Sequence, residues 1–151
     1  MKQSTMIGII VILALLVGIF LLSPLSPLNK VSVDGEGVKL PTGYSVVNTT
    51  KSSLTISNDT NTLCLYPTNQ TTDLNKATKG YQNKYKDHFN VSIKKLNTSD
   101  STEVYKTVAT PKDKTATIYW FNHKNKTYHI RTEDAVKGTD DVALKIISSM
   151  N

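Results

Sequence analysis

Histidine, cysteine and paired carboxylates are the residues of this chain that could do chemistry. The chain contains three histidines, His88, His123 and His129, and one cysteine, Cys64. A metal ion needs three or four convergent ligands, and a catalytic thiol needs a base or another cationic group nearby. The apolar neighbours of Cys64 offer no such base. They favour a cysteine packed in a strand as a small buried side chain.

Two of the histidines fall within a predicted β-hairpin. The runs 115–121 and 127–132 are rich in β-branched and aromatic residues and predict two strands. Lys124-Asn125 serves as the two-residue loop between them, because Asn tolerates the positive φ that such a turn needs. Large apolar groups on both faces place the hairpin near the sheet centre, with cover on both sides. The loop sets the register, which pairs Phe121 with Tyr128, Tyr119 with Ile130 and Trp120 with His129.

That register projects His123 and His129 to opposite faces, so we expect no joint metal site. His88, near a predicted helix end, is typical of a dipole-favoured cation or a half-buried ring. Glu133-Asp134 and Asp140-Asp141 are typical of a polar turn and a helix cap. No phosphate loop, dinucleotide fingerprint or Gly-x-Ser-x-Gly motif occurs in the sequence. The sequence therefore nominates no catalytic residue, no metal ligand and no cofactor, and we predict that the protein is not an enzyme.

The stretch from Met6 to Leu22 predicts a transmembrane helix. It carries no charge, and as a helix it would rise about 25 Å against a hydrocarbon core of about 30 Å. Pro24 and Pro27 follow where the chain would leave the bilayer. Lys2 lies on the short N-terminal side, so the positive-inside rule keeps the N-terminus in the cytoplasm and the rest outside. A cleaved signal peptide is the alternative.

The length allows one domain beyond this segment. We assign residues 1–22 to a membrane anchor, residues 23–37 to a linker rich in proline and serine, and residues 38–151 to an extracytoplasmic domain. With one cysteine in the chain, the domain has no intramolecular disulfide and must be stabilised by packing alone.

The chain is basic, with a net charge of +6 carried by lysines and a single arginine, Arg131. Scattered lysines predict a solvated surface, or weak attraction to an anionic cell-wall polymer or to lipid headgroups. The predicted location and the lack of clustered arginine argue against nucleic acid as a partner. Besides the membrane itself, the expected partners are therefore an anionic wall polymer or another membrane protein.

Asn-x-Ser/Thr triplets are more frequent than the composition would give by chance. On an exported domain they predict glycosylation, although Asn and Thr also cluster in turns. The six triplets begin at Asn48, Asn58, Asn69, Asn90, Asn97 and Asn125.

The remaining elements alternate between strands and helices. Residues 31–37 are ambiguous, with a short strand ending at a Gly35–Gly37 turn. Strands are expected at 45–47, 53–57, 63–66, 91–93 and 103–110. One amphipathic helix is expected from a cap at 71–73 to about Phe89, and a second is capped by Thr139 or Asp140. The order predicts an α+β domain with a mostly antiparallel sheet and two helices.

This order of elements begins with the segment Lys-Leu-Pro-Thr-Gly-Tyr and ends with the segment Ala-Leu-Lys-Ile-Ile-Ser-Ser-Met. With the aromatic hairpin, they resemble the PsbP/Mog1-type sandwich, over roughly residues 38–151. The chain is also similar to small membrane-anchored proteins of unknown function that are common in methanogenic archaea. The resemblance implies a binding or accessory role at the cell surface, and it carries over no site residue. Alternatives are a glycosylated structural coat component and a cell-wall-acting enzyme.

Overall fold

The computed structural model describes residues 30–150, which form nine strands and two helices. In chain order these are β1 (Lys30–Val33), β2 (Glu36–Lys39), β3 (Ser45–Thr50), β4 (Ser53–Ser57), β5 (Thr62–Pro67), α1 (Leu74–Tyr85), β6 (Asn90–Asn97), β7 (Glu103–Thr110), β8 (Ala116–His123), β9 (Lys126–Glu133) and α2 (Thr139–Ser149).

Seven of the strands form one antiparallel sheet in the order β3-β4-β5-β9-β8-β7-β6. Strands β1 and β2 form a separate antiparallel hairpin. The prediction of an α+β domain with a mostly antiparallel sheet and two helices is confirmed.

The β8–β9 hairpin lies at the centre of the sheet, and β9 is the middle strand. The predicted register is confirmed in all three pairs, including Trp120 with His129. The positive φ that the two-residue loop needs lies at Lys124, with a φ of 51°, and not at Asn125 as predicted. Alternation along these strands sends Tyr119 and Phe121 to one face of the sheet and Trp120 to the other.

The face that carries Tyr119 and Phe121 is the closed face, because α2 and the β1–β2 hairpin cover it. Its side chains form a continuous core in which the largest rings are almost fully shielded from solvent. The buried strand residues are Leu54, Ile56, Leu63, Leu65, Val104, Tyr119, Phe121, Tyr128 and Ile130, packed against Val33, Val38, Ala143, Ile146, Ile147 and Met150.

Strand β1 begins at Lys30, inside the segment 23–37 that was assigned to a linker. Val33 is 1% exposed, so the segment assigned to a linker contributes to the core, beside Val38 of the predicted domain at 0%. The turn lies at Asp34-Gly35, with φ values of 53° and 79°, rather than at Gly35–Gly37. Positive φ at both central residues is what a type I′ hairpin turn needs, and Asp-Gly supplies it.

Helix α1 begins as predicted and ends early. The Asp73 side chain caps it by accepting from the Lys76 amide at 2.9 Å. The helix ends at Tyr85 rather than near Phe89, and the Tyr85 carbonyl accepts from the amide of Phe89 at 3.1 Å. Strand β6 begins at Asn90. Residues 86–89 are therefore needed for the turn that returns the chain to the sheet, and the helix ends before them.

Helix α2 is capped by Gly138, not by Thr139 or Asp140 as predicted. Gly138 has a φ of 89°, a conformation that glycine adopts without strain. Thr139 lies inside the first turn, where its hydroxyl donates to the Val136 carbonyl at 2.7 Å. The predicted apolar face is confirmed, since Ala143, Ile146, Ile147 and Met150 are all buried.

The predicted transmembrane segment, Met6 to Leu22, lies outside the described residues. Between Lys30 and Met150, neither helix has the length and hydropathy needed to cross a bilayer.

Candidate functional site

The second face of the sheet is only partly covered. Helix α1 packs against β6, β7 and β8, and strands β9, β5 and β4 lie beyond its edge. Because Tyr81 of α1 contacts Trp120, side chains in register with Trp120 project to this same side. We call the uncovered part the open face, and its residues are Thr55, Cys64, Tyr66, His129 and Arg131.

Aromatic rings run from the open face onto helix α1. Ring centroids are 5.2 Å apart from Tyr66 to His129, 4.3 Å from His129 to Trp120 and 5.6 Å from Trp120 to Tyr81. Each of these rings is half-buried, so each keeps some contact with solvent. We call this set, continued along α1, the aromatic run, and its members are Tyr66, His129, Trp120, Tyr81, Tyr85 and Phe89.

His129 is a neutral ring within this run. Both of its nitrogens are shielded from solvent, and no residue in the described part of the chain makes a hydrogen bond to them. Burial lowers the pKa of His129 to about 4, because the charged form would lose its hydration. At neutral pH the imidazole is therefore uncharged, and its nitrogens are too enclosed to exchange a proton with a ligand on the surface.

The tyrosines of the run stay protonated for a similar reason. Burial is the largest effect on Tyr66 and Tyr81, and it raises the pKa of each hydroxyl. The positive charge of Arg131 opposes burial at both tyrosines and acts to lower each pKa. The guanidinium therefore lies close enough to influence both hydroxyls.

Arg131 is the cation of the open face. Its Nη2 lies 3.8 Å from a Glu133 carboxylate oxygen, longer than a hydrogen bond, and the two side chains are 50% and 51% exposed. An exposed pair at this distance contributes little to stability. The planar guanidinium is therefore available to bind a further anion.

A cleft adjoins the open face at the end that carries Arg131. It has a volume of about 670 Å³ and is lined by the turn 58–61, Cys64, Arg131 and the acidic end of β9. Hydrogen bonds hold its floor in place. The buried Asn61 amide donates to Thr139 at 3.0 Å and accepts from Thr132 at 2.8 Å.

The closed face holds two of the residues that looked reactive in the sequence, His123 and Asp140. His123 Nε2 lies 3.1 Å from Glu36. Asp140 accepts from Lys106 at 2.6 Å and from the Tyr119 hydroxyl, which ties α2 to the sheet. These contacts give His123 and Asp140 structural roles.

The other candidates are also dispersed. His88 is exposed just after α1. Cys64 was predicted to be buried, and the structure shows it half-buried on the open face. Its sulfur accepts a hydrogen bond from the Thr55 hydroxyl at 3.6 Å. Asp134 accepts from the Thr115 amide at 3.0 Å. Within residues 30–150, no group of three or more His, Cys, Asp or Glu side chains could hold a metal ion.

Tyr66 and Arg131 are the residues of the open face that the sequence did not single out. The predicted hairpin register puts Arg131 on the same side as His129, so strand alternation could have identified it. Nothing in the sequence shows that α1 stops short of β9, and that gap is what leaves Arg131 exposed.

Comparison with known proteins adds little to this geometry. No family model matches the chain, and no curated protein matches it. A Bacteroides thetaiotaomicron VPI-5482 protein with a crystal structure at 1.50 Å is similar, with a TM-score of 0.45 and 12% identity. The match covers 80% of this chain and 47% of that one, so this chain spans about half the other's length. A likeness at this level does not extend to function.

Proposed function

We propose that this protein is a membrane-tethered, non-catalytic binding domain on the outer side of the cell membrane. The apolar segment Met6–Leu22 and the charge around it support the tether and its orientation. The basic composition and the predicted likeness to PsbP/Mog1-type proteins are consistent with an accessory role toward a wall polymer or another membrane protein.

The observation that carries the binding role is the open face. Aromatic side chains that are half-buried beside an exposed arginine are typical of surfaces that gain stability when a partner covers them. The adjoining cleft gives such a partner a recessed end to enter. The closed face, whose rings already lie inside the fold, offers no comparable surface.

The single cysteine tests this role directly, because Cys64 lies on the open face. In intact cells carrying the full-length protein, a membrane-impermeant maleimide should label Cys64 more slowly than it labels the purified protein. The slower rate is expected because a bound partner shields the thiol.

The matched control moves the thiol away from the open face. A Cys64→Ser, Ser92→Cys double variant places it on an exposed β6 residue, and it should label at the same rate in cells and in the purified state. An unlabelled control in intact cells would mean that the domain is not outside. Equal rates for Cys64 in cells and in solution would mean that the open face has no partner.

A glycosylated coat component is the second candidate, favoured by where the Asn-x-Ser/Thr triplets lie. Asn58 is half-buried, and its side-chain oxygen accepts from the Asn61 amide at 2.7 Å. An intact mass above that of the bare chain would support this candidate, and a mass equal to it would exclude glycosylation. The other five asparagines are exposed: Asn48, Asn69, Asn90, Asn97 and Asn125.

A further inference from the structure

We infer that the open face binds an acidic polysaccharide whose sugar units carry carboxylates. This inference rests on the proposed binding function and names the ligand class of the same surface. Three features carry it: the aromatic run, the position of the cations beside it and the cleft at its end.

The aromatic run fits the apolar side of a sugar. A pyranose ring presents several C–H groups on one face, and these pack against aromatic rings, whose faces carry partial negative charge. Tyr66, His129 and Trp120 extend across three neighbouring strands, with centroid separations of 5.2 and 4.3 Å. The ring planes are inclined by 57° and 85°, so a chain lying along them would meet ring faces and ring edges in turn, where a lone ring would offer one contact.

The cations beside the run fit carboxylates. Arg131 lies in the next row of β9 after His129, and its planar fork can hold a carboxylate through two parallel hydrogen bonds. Lys84 lies 5.3 Å from the centroid of the Tyr85 ring, near the helical part of the run. A polymer that alternates apolar ring faces with carboxylates would therefore meet complementary groups along its path.

Polyphosphates and nucleic acids fit less well. Single-stranded nucleic acid also stacks on rings, but it is held by a continuous cationic groove. The open face carries one arginine, and the neighbouring cleft is lined by Asp59, Glu133 and Asp134. A phosphate backbone has no hydrogen-bond donor to offer these carboxylates, whereas a uronate unit of the same charge keeps hydroxyl groups that can donate to them.

The experiment measures binding by the full-length protein in detergent micelles, using calorimetry with polygalacturonate, dextran, polyphosphate and poly(dT). Polygalacturonate should bind best, and neutral dextran about tenfold more weakly or worse. Arg131→Gln should weaken polygalacturonate binding about tenfold, as expected for the loss of a charged hydrogen-bonding pair. Arg131→Lys should fall in between, because lysine lacks the fork.

Two further variants separate the ring contact from charge and folding. Tyr66→Ala should weaken binding, while Tyr66→Phe, which keeps the ring, should bind like the native protein. Lys145→Gln removes the same charge from an exposed residue of α2, the helix that covers the closed face, and should change binding less than twofold, the scale of an exposed charge. Equal losses in Arg131→Gln and Lys145→Gln would overturn the inference, since only overall charge would then matter.

The remaining outcomes separate the inference from the proposed function. Stronger binding of polyphosphate or poly(dT) would replace the ligand class. If none of the four polymers binds while Cys64 is still shielded in cells, the binding function stands and the polysaccharide assignment fails. If Cys64 is also unshielded, both fail.

Discussion

The two faces of the sheet differ in whether their polar groups find partners inside the fold. On the closed face, Tyr119 and Tyr128 are 0% and 2% exposed, and their hydroxyls donate to Asp140 and Asp34. On the open face, the nitrogens of His129 have no partner within the described part of the chain, and Arg131 makes only a long ion pair. Buried polar groups are normally satisfied, so the closed face is complete as folded and the open face is not.

The difference follows from where the two helices lie. Helix α2 and the β1–β2 hairpin together extend over the closed face. Helix α1 covers only the β6–β8 side of the other face. Adjacent residues of one strand therefore differ in solvent exposure: Phe121 is 1% exposed, whereas Trp120 is half-buried. Most of the buried core therefore lies on one side of the sheet, and the surface proposed for binding lies on the other.

The largest expected effect tests that separation. Phe121→Ala removes a ring stacked on Tyr128, with centroids 5.6 Å apart, and leaves a cavity in the closed core. We expect a loss of about 3–5 kcal/mol in the free energy of unfolding, measured by urea denaturation. Tyr66→Ala on the open face should cost about 1–2 kcal/mol, because the ring is only partly buried. Equal losses would mean that the two faces do not differ in this way.

The pH dependence of stability should come partly from the open face. Burial lowers the pKa of His129 to about 4, from 6.5 in the unfolded chain. Between these values the unfolded state binds a proton that the folded state does not, so stability falls as the pH falls. The loss should amount to about 2 kcal/mol between pH 6.5 and pH 4.

The matched variants locate this effect. His129→Phe keeps a ring in the aromatic run and removes the titrating group, so it should flatten the fall in stability over that window. His88→Gln changes an exposed histidine and should leave the profile unchanged. A profile that His129→Phe does not alter would show that this imidazole is not the buried neutral group.

Much of the fold could be predicted from the sequence because local signals specify it. The β8–β9 register follows from alternation and from the loop at Lys124-Asn125, and Asp73 caps α1 as its side chain suggests. The β1–β2 hairpin was predicted only in part, as an ambiguous short strand before a turn, because its strands are short and Val33 and Val38 are buried by contacts distant in sequence. Likewise, Gly138 caps α2 through its backbone conformation, which composition does not reveal.

The candidate site could be predicted only in part. The same-face relation of Trp120, His129 and Arg131 follows from the hairpin register and strand alternation. Their exposure depends on where α1 packs across the sheet. That placement is set by tertiary packing, which no local sequence pattern reveals. The sequence also gave no reason to place Tyr66 beside His129, since β5 and β9 are separated by four other elements.

A smaller effect is expected at the contact between α2 and the sheet. Asp140 is partly buried. Desolvation alone would raise its pKa, but hydrogen bonds from Lys106 and Tyr119 outweigh it and lower the pKa. Asp140→Asn should cost about 1 kcal/mol in urea denaturation at pH 7, because Lys106 loses its counter-charge and the buried Tyr119 keeps a weaker acceptor.

Asp141→Asn is the control, since it removes the same charge from an exposed position one residue later. The carboxylate form of Asp140 favours folding, so its contribution should be present above the unfolded pKa of 3.8 and lost as the pH falls through the lower folded value. If both variants cost the same, the effect belongs to the helix terminus and not to the Lys106–Asp140 pair.

The smallest expected effect concerns the turn of the β1–β2 hairpin, which is held to the β8–β9 loop by ion pairs. Glu36 accepts from Lys124 at 2.6 Å and lies 3.1 Å from His123. Hydrogen bonds from Lys124, and then from His123, lower the pKa of Glu36. Its stabilising effect should therefore be present above the unfolded pKa of 4.5 and lost as the pH falls below it.

Glu36→Gln should lower the melting temperature slightly, and less so at high salt, because salt screens exposed ion pairs. Amide hydrogen exchange should quicken in β1 and β2 and stay unchanged in β8 and β9, since the hairpin can open locally while the central sheet stays folded. Glu103→Gln is the control, because its ion pair with Lys95 is 53% and 47% exposed and lies away from this hairpin. Faster exchange throughout the sheet in Glu36→Gln would mean that the hairpin opens only together with the central sheet and not locally.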